Sequence, residues 1–151
     1  MRTLALATLL VSFSSIAACP NLAGTYATCR STTGNIGGST ELVVTQKIEN
    51  GATIYTLTSV DDESHERDTD EMIADGKTRS ETANDPNYGE VRVSITYKCV
   101  GNKLVGNENL VVQDSPFLDL NHETTKSGNT LTRKYTGTVV GEPINDTLIC
   151  E

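Results

Sequence analysis

The sequence predicts an all-β fold, a single antiparallel up-and-down barrel of about eight to nine strands, with a β-sandwich as the alternative. Three observations predict it. The region beyond residue 18 is rich in Thr, Val, Ile and Gly, and the chain has only four prolines and no tryptophan, a composition suited to pleated, half-buried strands. Apolar and polar residues alternate in short runs separated by Gly, Asn and Asp, the residues of tight turns. No run of ten or more residues in this region combines helical periodicity with good helix formers and caps.

The first element is not part of that fold. Arg2 precedes an apolar run from Leu4 to about Phe13, and small residues lead to Cys19, the pattern of an export signal. The run is well short of the ~20 apolar residues that cross a bilayer as a helix. Residues 1–18 are therefore expected to be a cleaved signal peptide and residues 19–151 a single β-barrel domain, secreted or periplasmic, with no transmembrane segment. Ile16-Ala17-Ala18-Cys19 also resembles the lipobox of bacterial lipoproteins, which would make Cys19 a lipidation site and anchor the protein to the envelope.

In an oxidising compartment Cys19, Cys29, Cys99 and Cys150 make two disulfides, an even count that acylation of Cys19 would break. Leu22 to Thr28 reads as an extended strand. At about 3.3 Å per residue it separates Cys19 from Cys29 beyond the ~7 Å between Cα atoms that a disulfide tolerates. Cys19 is then expected to pair with Cys150 or Cys99. Cys150 is favoured, because a closed sheet with an even strand count sets the start of its first strand beside the end of its last, and Cys29 would then pair with Cys99.

The strands follow in order. Glu41 to Ile48 alternates with Leu42, Val44 and Ile48 inward, and Asn50-Gly51 turns it into Thr53 to Val60, a strong hairpin signal. Asp61 to Gly89 is weaker: charge rises, one strand is expected within Asp70 to Ser80, and Glu81 to Gly89 reads as a loop by its turn residues. Val91 to Lys98 alternates most cleanly, with Val91, Val93, Ile95 and Tyr97 on one face. Gly101-Asn102 links it to Lys103 to Val112. Lys126 to Asn129 links Phe117 to Thr125 with Thr130 to Val140, and Thr147 to Cys150 continues the sheet. So many consecutive antiparallel strands must close or fold into two layers to hide their edges.

At Asn21-Leu22-Ala23-Gly24-Thr25-Tyr26 the chain resembles the opening of lipocalin-like (calycin) barrels, where Gly-x-Trp begins the first strand; Tyr26 stands in the Trp position. The resemblance implies a barrel plug formed by Gly24 and Tyr26, with a basic residue of the late strand, Arg133 or Lys134, on the aromatic tip. It also implies an interior pocket for a small apolar or amphipathic ligand, lined here by aliphatic residues and threonine. Cys19 to Tyr26 is also similar to the opening of small exported bacterial proteins of unassigned function.

The formal charge is −8, and −9 once Arg2 leaves with the signal. Such a balance repels phosphate backbones and anionic surfaces, so no nucleic-acid partner is expected. His65 lies in the acidic run Asp61 to Asp68 and reads as solvated loop, and His122 lies far from it in sequence. No Gly-x-Ser-x-Gly elbow or catalytic-cysteine context is present. The cysteines lack zinc spacing, and the acids Asp61 to Glu71 lack the order of a calcium loop, so neither cofactor nor metal is expected. Asn145-Asp146-Thr147 fits a glycosylation triplet.

These readings favour a monomeric, non-enzymatic binding module that carries a small apolar ligand inside its barrel or docks a protein. The alternative is a structural or envelope-interaction protein with a filled barrel acting through loops in Asp61 to Gly89. A hydrolase inhibitor presenting Asn84 to Tyr88 belongs with that alternative.

Overall fold

The computed structural model describes residues 18–151, so the expected signal lies outside the described residues except for Ala18. Strands and tight turns account for nearly all of the rest, and among the described residues no helix is long and apolar enough to cross a membrane. The strands are β1 (Gly24–Tyr26), β2 (Cys29–Ser31), β3 (Ser39–Glu49), β4 (Ala52–Asp61), β5 (Arg67–Ala74), β6 (Thr78–Asp85), β7 (Gly89–Val100), β8 (Lys103–Val112), β9 (Ser115–Ser127), β10 (Thr130–Val139) and β11 (Glu142–Cys150). All pair antiparallel in one sheet of order β5-β4-β3-β2-β11-β10-β9-β8-β7-β6, with β1 set on β3.

The sheet curls into a half-barrel. Its two edge strands, β5 and β6, are consecutive in the chain yet do not pair with each other. They are joined by a short turn whose Gly76 N–H donates to the Tyr97 carbonyl at 2.8 Å. The reason lies in their residues: Arg67 to Glu71 and Thr78 to Asn84 are exposed throughout, so apart from the end of β5, where Met72 is buried, these edges are polar and charged and resist further pairing.

The expected hairpins at Asn50-Gly51, Gly101-Asn102 and Gly128-Asn129 form where the turn residues place them. The region Asp61 to Gly89 differs. Two strands stand where one was expected, because Asp75-Gly76-Lys77 turns the chain within the proposed strand. β6 extends through most of the proposed loop and leaves a tight turn at residues 86–88.

The disulfides correct the expected pairing: Cys19 is bonded to Cys99 and Cys29 to Cys150. Leu22 to Thr28 is not one strand. β1 pairs with β3, the chain steps aside at Ala27 and Thr28, whose N–H groups both donate to the Glu151 carbonyl, and β2 then pairs with β11. The start of the sheet does lie beside its last strand, but the residue opposite Cys150 is Cys29, with Cα atoms 4.0 Å apart. The Cys19 sulfur is bonded to Cys99, and among the described residues no cysteine is free. Two disulfides fit an oxidising environment outside the cytoplasm.

The core gathers on the concave side around Leu22, Tyr26, Leu42, Val44, Tyr55, Met72, Tyr97, Leu104 and Leu131. The segment before β1 closes one part of it: Leu22 is buried, the Tyr55 hydroxyl donates to the Pro20 carbonyl at 2.7 Å, and Gln46 accepts from the Leu22 N–H.

Candidate functional site in the barrel interior

Alternation decides which side chains meet inside. In the ladders of β7 to β11, Tyr97, Gly106, His122, Tyr135 and Asp146 stand directly opposite one another in a single row. All five face the concave side, and the rows beside this one bring in Glu108 and Arg133. Beside aliphatic side chains of the kind expected from the sequence, the interior therefore holds a polar network.

Glu108 is its hub. Its Oε1 accepts from the Tyr97 hydroxyl at 2.9 Å and from His122 Nε2 at 3.1 Å. The fully buried His122 ring accepts from Arg133 Nε at its Nδ1, 3.4 Å away. These roles assign a neutral imidazole with its proton on Nε2. Burial, followed by the charge of Arg133, holds the His122 pKa down. The His122 hydrogen bond is the largest influence on Glu108 and, with the charge of Arg133 and the Tyr97 hydrogen bond, outweighs burial to hold the carboxyl at about 2. Tyr97 is pushed up, first by burial and then by Glu108.

Arg133 is poorly served for a guanidinium that is 84% buried. Its neighbours are the two imidazole nitrogens, the Met72 sulfur at 3.8 Å and Glu108 at 3.6 Å, and its planar group stacks over Tyr135 with 5.1 Å to the ring centroid. Tyr135 is buried, and its hydroxyl makes no hydrogen bond to the described residues. Thr124, opposite Arg133 in the β9–β10 ladder, has a buried hydroxyl with no partner.

Two hollows meet at this network. An inner chamber of about 170 Å³ is lined by aliphatic residues such as Leu22, Leu42, Val44 and Leu131 together with Ser39, Ser59 and Thr124. An outer chamber of about 320 Å³ is lined by Tyr97, Glu108, Ile95 and Arg79 among others. Leu57, Asp70, Met72, Arg133 and Tyr135 border both. A larger open groove of about 910 Å³ lies at the Cys19 end and holds none of Glu108, His122 or Arg133.

The expected plug is rearranged. Tyr26 is buried, and a Cβ on Gly24 would stand 3.0 Å from its hydroxyl, so the glycine makes room for the ring. The basic neighbour is Lys126, whose Nζ lies 5.9 Å from the Tyr26 ring centroid and donates to the Ala23 carbonyl. Arg133 does not reach Tyr26 because the register places it beside His122, and the Tyr26 hydroxyl is satisfied by the Leu22 carbonyl at 3.0 Å. Lys134 points the other way, to the exposed face.

His65 is exposed on the β4–β5 turn, where the Asp61 carboxylate accepts the backbone N–H groups of Glu63 and Ser64. Among the described residues no three His, Cys, Asp or Glu side chains converge on one point as a metal site would need. Asn84 to Tyr88 forms a turn in which Asp85 accepts the N–H groups of Asn87 and Tyr88. Asn145 is exposed on β11. Its neighbour Asp146 is buried beneath the Ser31 to Ile36 loop and accepts from Ser31, Thr32, Thr33, Asn35, Ile36 and Thr147. Burial pushes its pKa up, but these hydrogen bonds, led by Ser31 and Thr33, outweigh it and hold the carboxyl below the usual range.

Sequence reasoning missed Glu108, His122 and Asp146. The signal was present for His122, since Leu120, His122 and Thr124 alternate onto the inward face of β9. No protein-family model, curated protein or solved structure matches the chain.

Proposed function

We propose that this protein is an exported, non-enzymatic binding module that holds a small amphipathic ligand within its half-barrel. The observation that carries the reading is a pair of adjoining hollows of about 170 and 320 Å³, each walled by aliphatic side chains together with Asp70, Arg133 and Tyr135. Apolar walls with a few convergent polar groups are the usual make-up of a small-molecule site, and an apolar cavity of about 150 Å³ accommodates benzene. The test compares the mass of the protein purified from its own host under native and denaturing conditions. A bound ligand appears as excess mass lost on denaturation. No excess, together with no binding of an uncharged amphiphile such as 1-hexanol, overturns the reading.

One observation favours a second reading, an envelope-interaction protein acting through its loops. Val140 is 64% exposed at the β10–β11 turn with φ 51°, and its N–H donates to the carbonyl of exposed Phe117 at 2.6 Å. A β-branched residue in the left-handed region is strained, and strain retained beneath exposed apolar side chains marks a surface used for contact. Retention of an envelope partner by the parent protein but not by Val140→Asn supports this reading, and equal retention by both removes it.

A further inference from the structure

The two chambers present charges of both signs that do not meet. Arg133 and Asp70 border both hollows, yet among the described residues Asp70 has no base within 4 Å and no side-chain hydrogen bond, and Arg133 has no oxygen acceptor within hydrogen-bond distance. The carboxylate oxygen of Glu108, 3.6 Å from Arg133, is already taken by Tyr97 and His122. Three donors are thus left with capacity on one wall: the Arg133 guanidinium, the Thr124 hydroxyl opposite it and the Tyr135 hydroxyl two residues further along β10. Such a group suits a carboxylate, which accepts several charge-assisted bonds at once. Asp70 stands on β5, the other side of the cleft, with Met72 beside it. Partial burial and then the charges of Asp68 and Glu108 push its pKa up, and Arg133, acting from beyond 4 Å, only partly offsets them.

From this geometry we infer that the cleft binds a small zwitterion, a free α-amino acid whose carboxylate lies on Arg133, Thr124 and Tyr135, whose ammonium lies on Asp70, and whose aliphatic or small aromatic side chain fills the inner chamber. The inference rests on the binding-module reading and names its ligand class. A simple carboxylate would leave Asp70 uncompensated and would meet Glu108 and Asp70 together. A simple amine would leave the three donors of the opposite wall unfilled. Only a molecule with both charges next to an apolar group satisfies each wall, and the inner chamber has room for a group of about the size of benzene.

The test is calorimetric titration of the disulfide-bonded protein with L-leucine, 4-methylpentanoate, 3-methylbutylamine and 1-hexanol. L-Leucine is expected to bind, with each single-charge analogue weaker by roughly tenfold or more. Asp70→Asn, a change on an exposed edge strand that the fold tolerates, is expected to weaken L-leucine by a similar factor and not to weaken 4-methylpentanoate, which has no ammonium for Asp70. L-Leucine binding no tighter than its analogues, or unaltered by Asp70→Asn, overturns the inference. If 1-hexanol binds and L-leucine does not, the zwitterion inference fails and the binding-module reading stands; if none of the four binds, the zwitterion inference fails, and the binding-module reading falls with it when the native mass also shows no excess.

Discussion

Gly106 and His122 stand directly opposite each other in the β8–β9 ladder, and a Cβ on the glycine would overlap the imidazole ring. The same Cβ would lie 2.8 Å from Tyr97. Glycine weakens a strand interior, and it is used here because two rings lean over its backbone from either side. Gly106→Ala must therefore push His122 off Glu108 or part the strands. The expected cost is about 1–3 kcal/mol, typical of overpacking, read from urea denaturation.

The disulfide pairing is open to direct test. Proteolysis without reduction is expected to yield one linked peptide pair containing Cys19 and Cys99 and another containing Cys29 and Cys150. The second bond closes most of the chain, with a sequence separation of 121. Its removal by a Cys29→Ser, Cys150→Ser double substitution should cost about 2–5 kcal/mol. A linked Cys19–Cys150 peptide contradicts the ladder that sets β2 against β11.

Much of the sheet was legible in the sequence, and the failures share a physical cause. Runs with one wet face, such as Val91 to Lys98, reveal both their existence and their inward residues, and Asn50-Gly51, Gly101-Asn102 and Gly128-Asn129 locate the turns. Arg67 to Glu71 and Thr78 to Asn84 are wet on both faces, so β5 and β6 carry no alternating signal. The site was less legible because polar residues inside a barrel look like polar residues outside one. Glu108 alternates with Gly106 and Leu110 on the inward side of β8, but its carboxylate alone reads as surface. Its partners His122 and Arg133 come from other strands, and only the register brings them together. The disulfides failed on a single backbone step between Tyr26 and Cys29, which no periodicity marks.

Val140 and Gly141 form the β10–β11 turn with positive φ at both residues, 51° and 80°. Two-residue hairpin turns of this kind favour Asn-Gly, and valine resists the conformation. Val140→Asn is expected to raise stability by about 1 kcal/mol, seen as an increase in the urea midpoint at unchanged slope. A fall in the midpoint would mean that the exposed valine makes a contact worth more than its strain.

Asp146 organises the Ser31 to Ile36 loop from below, with backbone N–H groups and hydroxyls converging on both carboxylate oxygens. Asp146→Ala strands these donors in a buried setting and is expected to cost ~3 kcal/mol, within the range for losing charge-assisted hydrogen bonds. Hydrogen exchange at Thr33, Asn35 and Ile36 should rise by more than at β7. Uniform exchange changes across the sheet would show that the carboxylate supports the whole fold and not this loop.

His122 supplies the pH dependence nearest neutrality. Its folded pKa is held below the ordinary value of about 6.5, first by burial and then by Arg133. Between the folded and unfolded values the unfolded chain therefore binds more protons, and stability rises with pH. The contribution is fully present above about pH 6.5 and is lost as pH falls through the folded pKa. Glu108 adds a second loss at lower pH. Its folded value of about 2 lies below the unfolded value near 4.3, so its contribution disappears as pH falls from about 4 toward 2. Urea midpoints measured from pH 8 to pH 3 should fall in two stages, and His122→Gln should remove the first and diminish the second, because the His122 hydrogen bond is the largest influence on Glu108. If the midpoint of the parent is flat from pH 7 to pH 5, His122 does not resist protonation in the folded state, and its assignment as the neutral link between Arg133 and Glu108 fails.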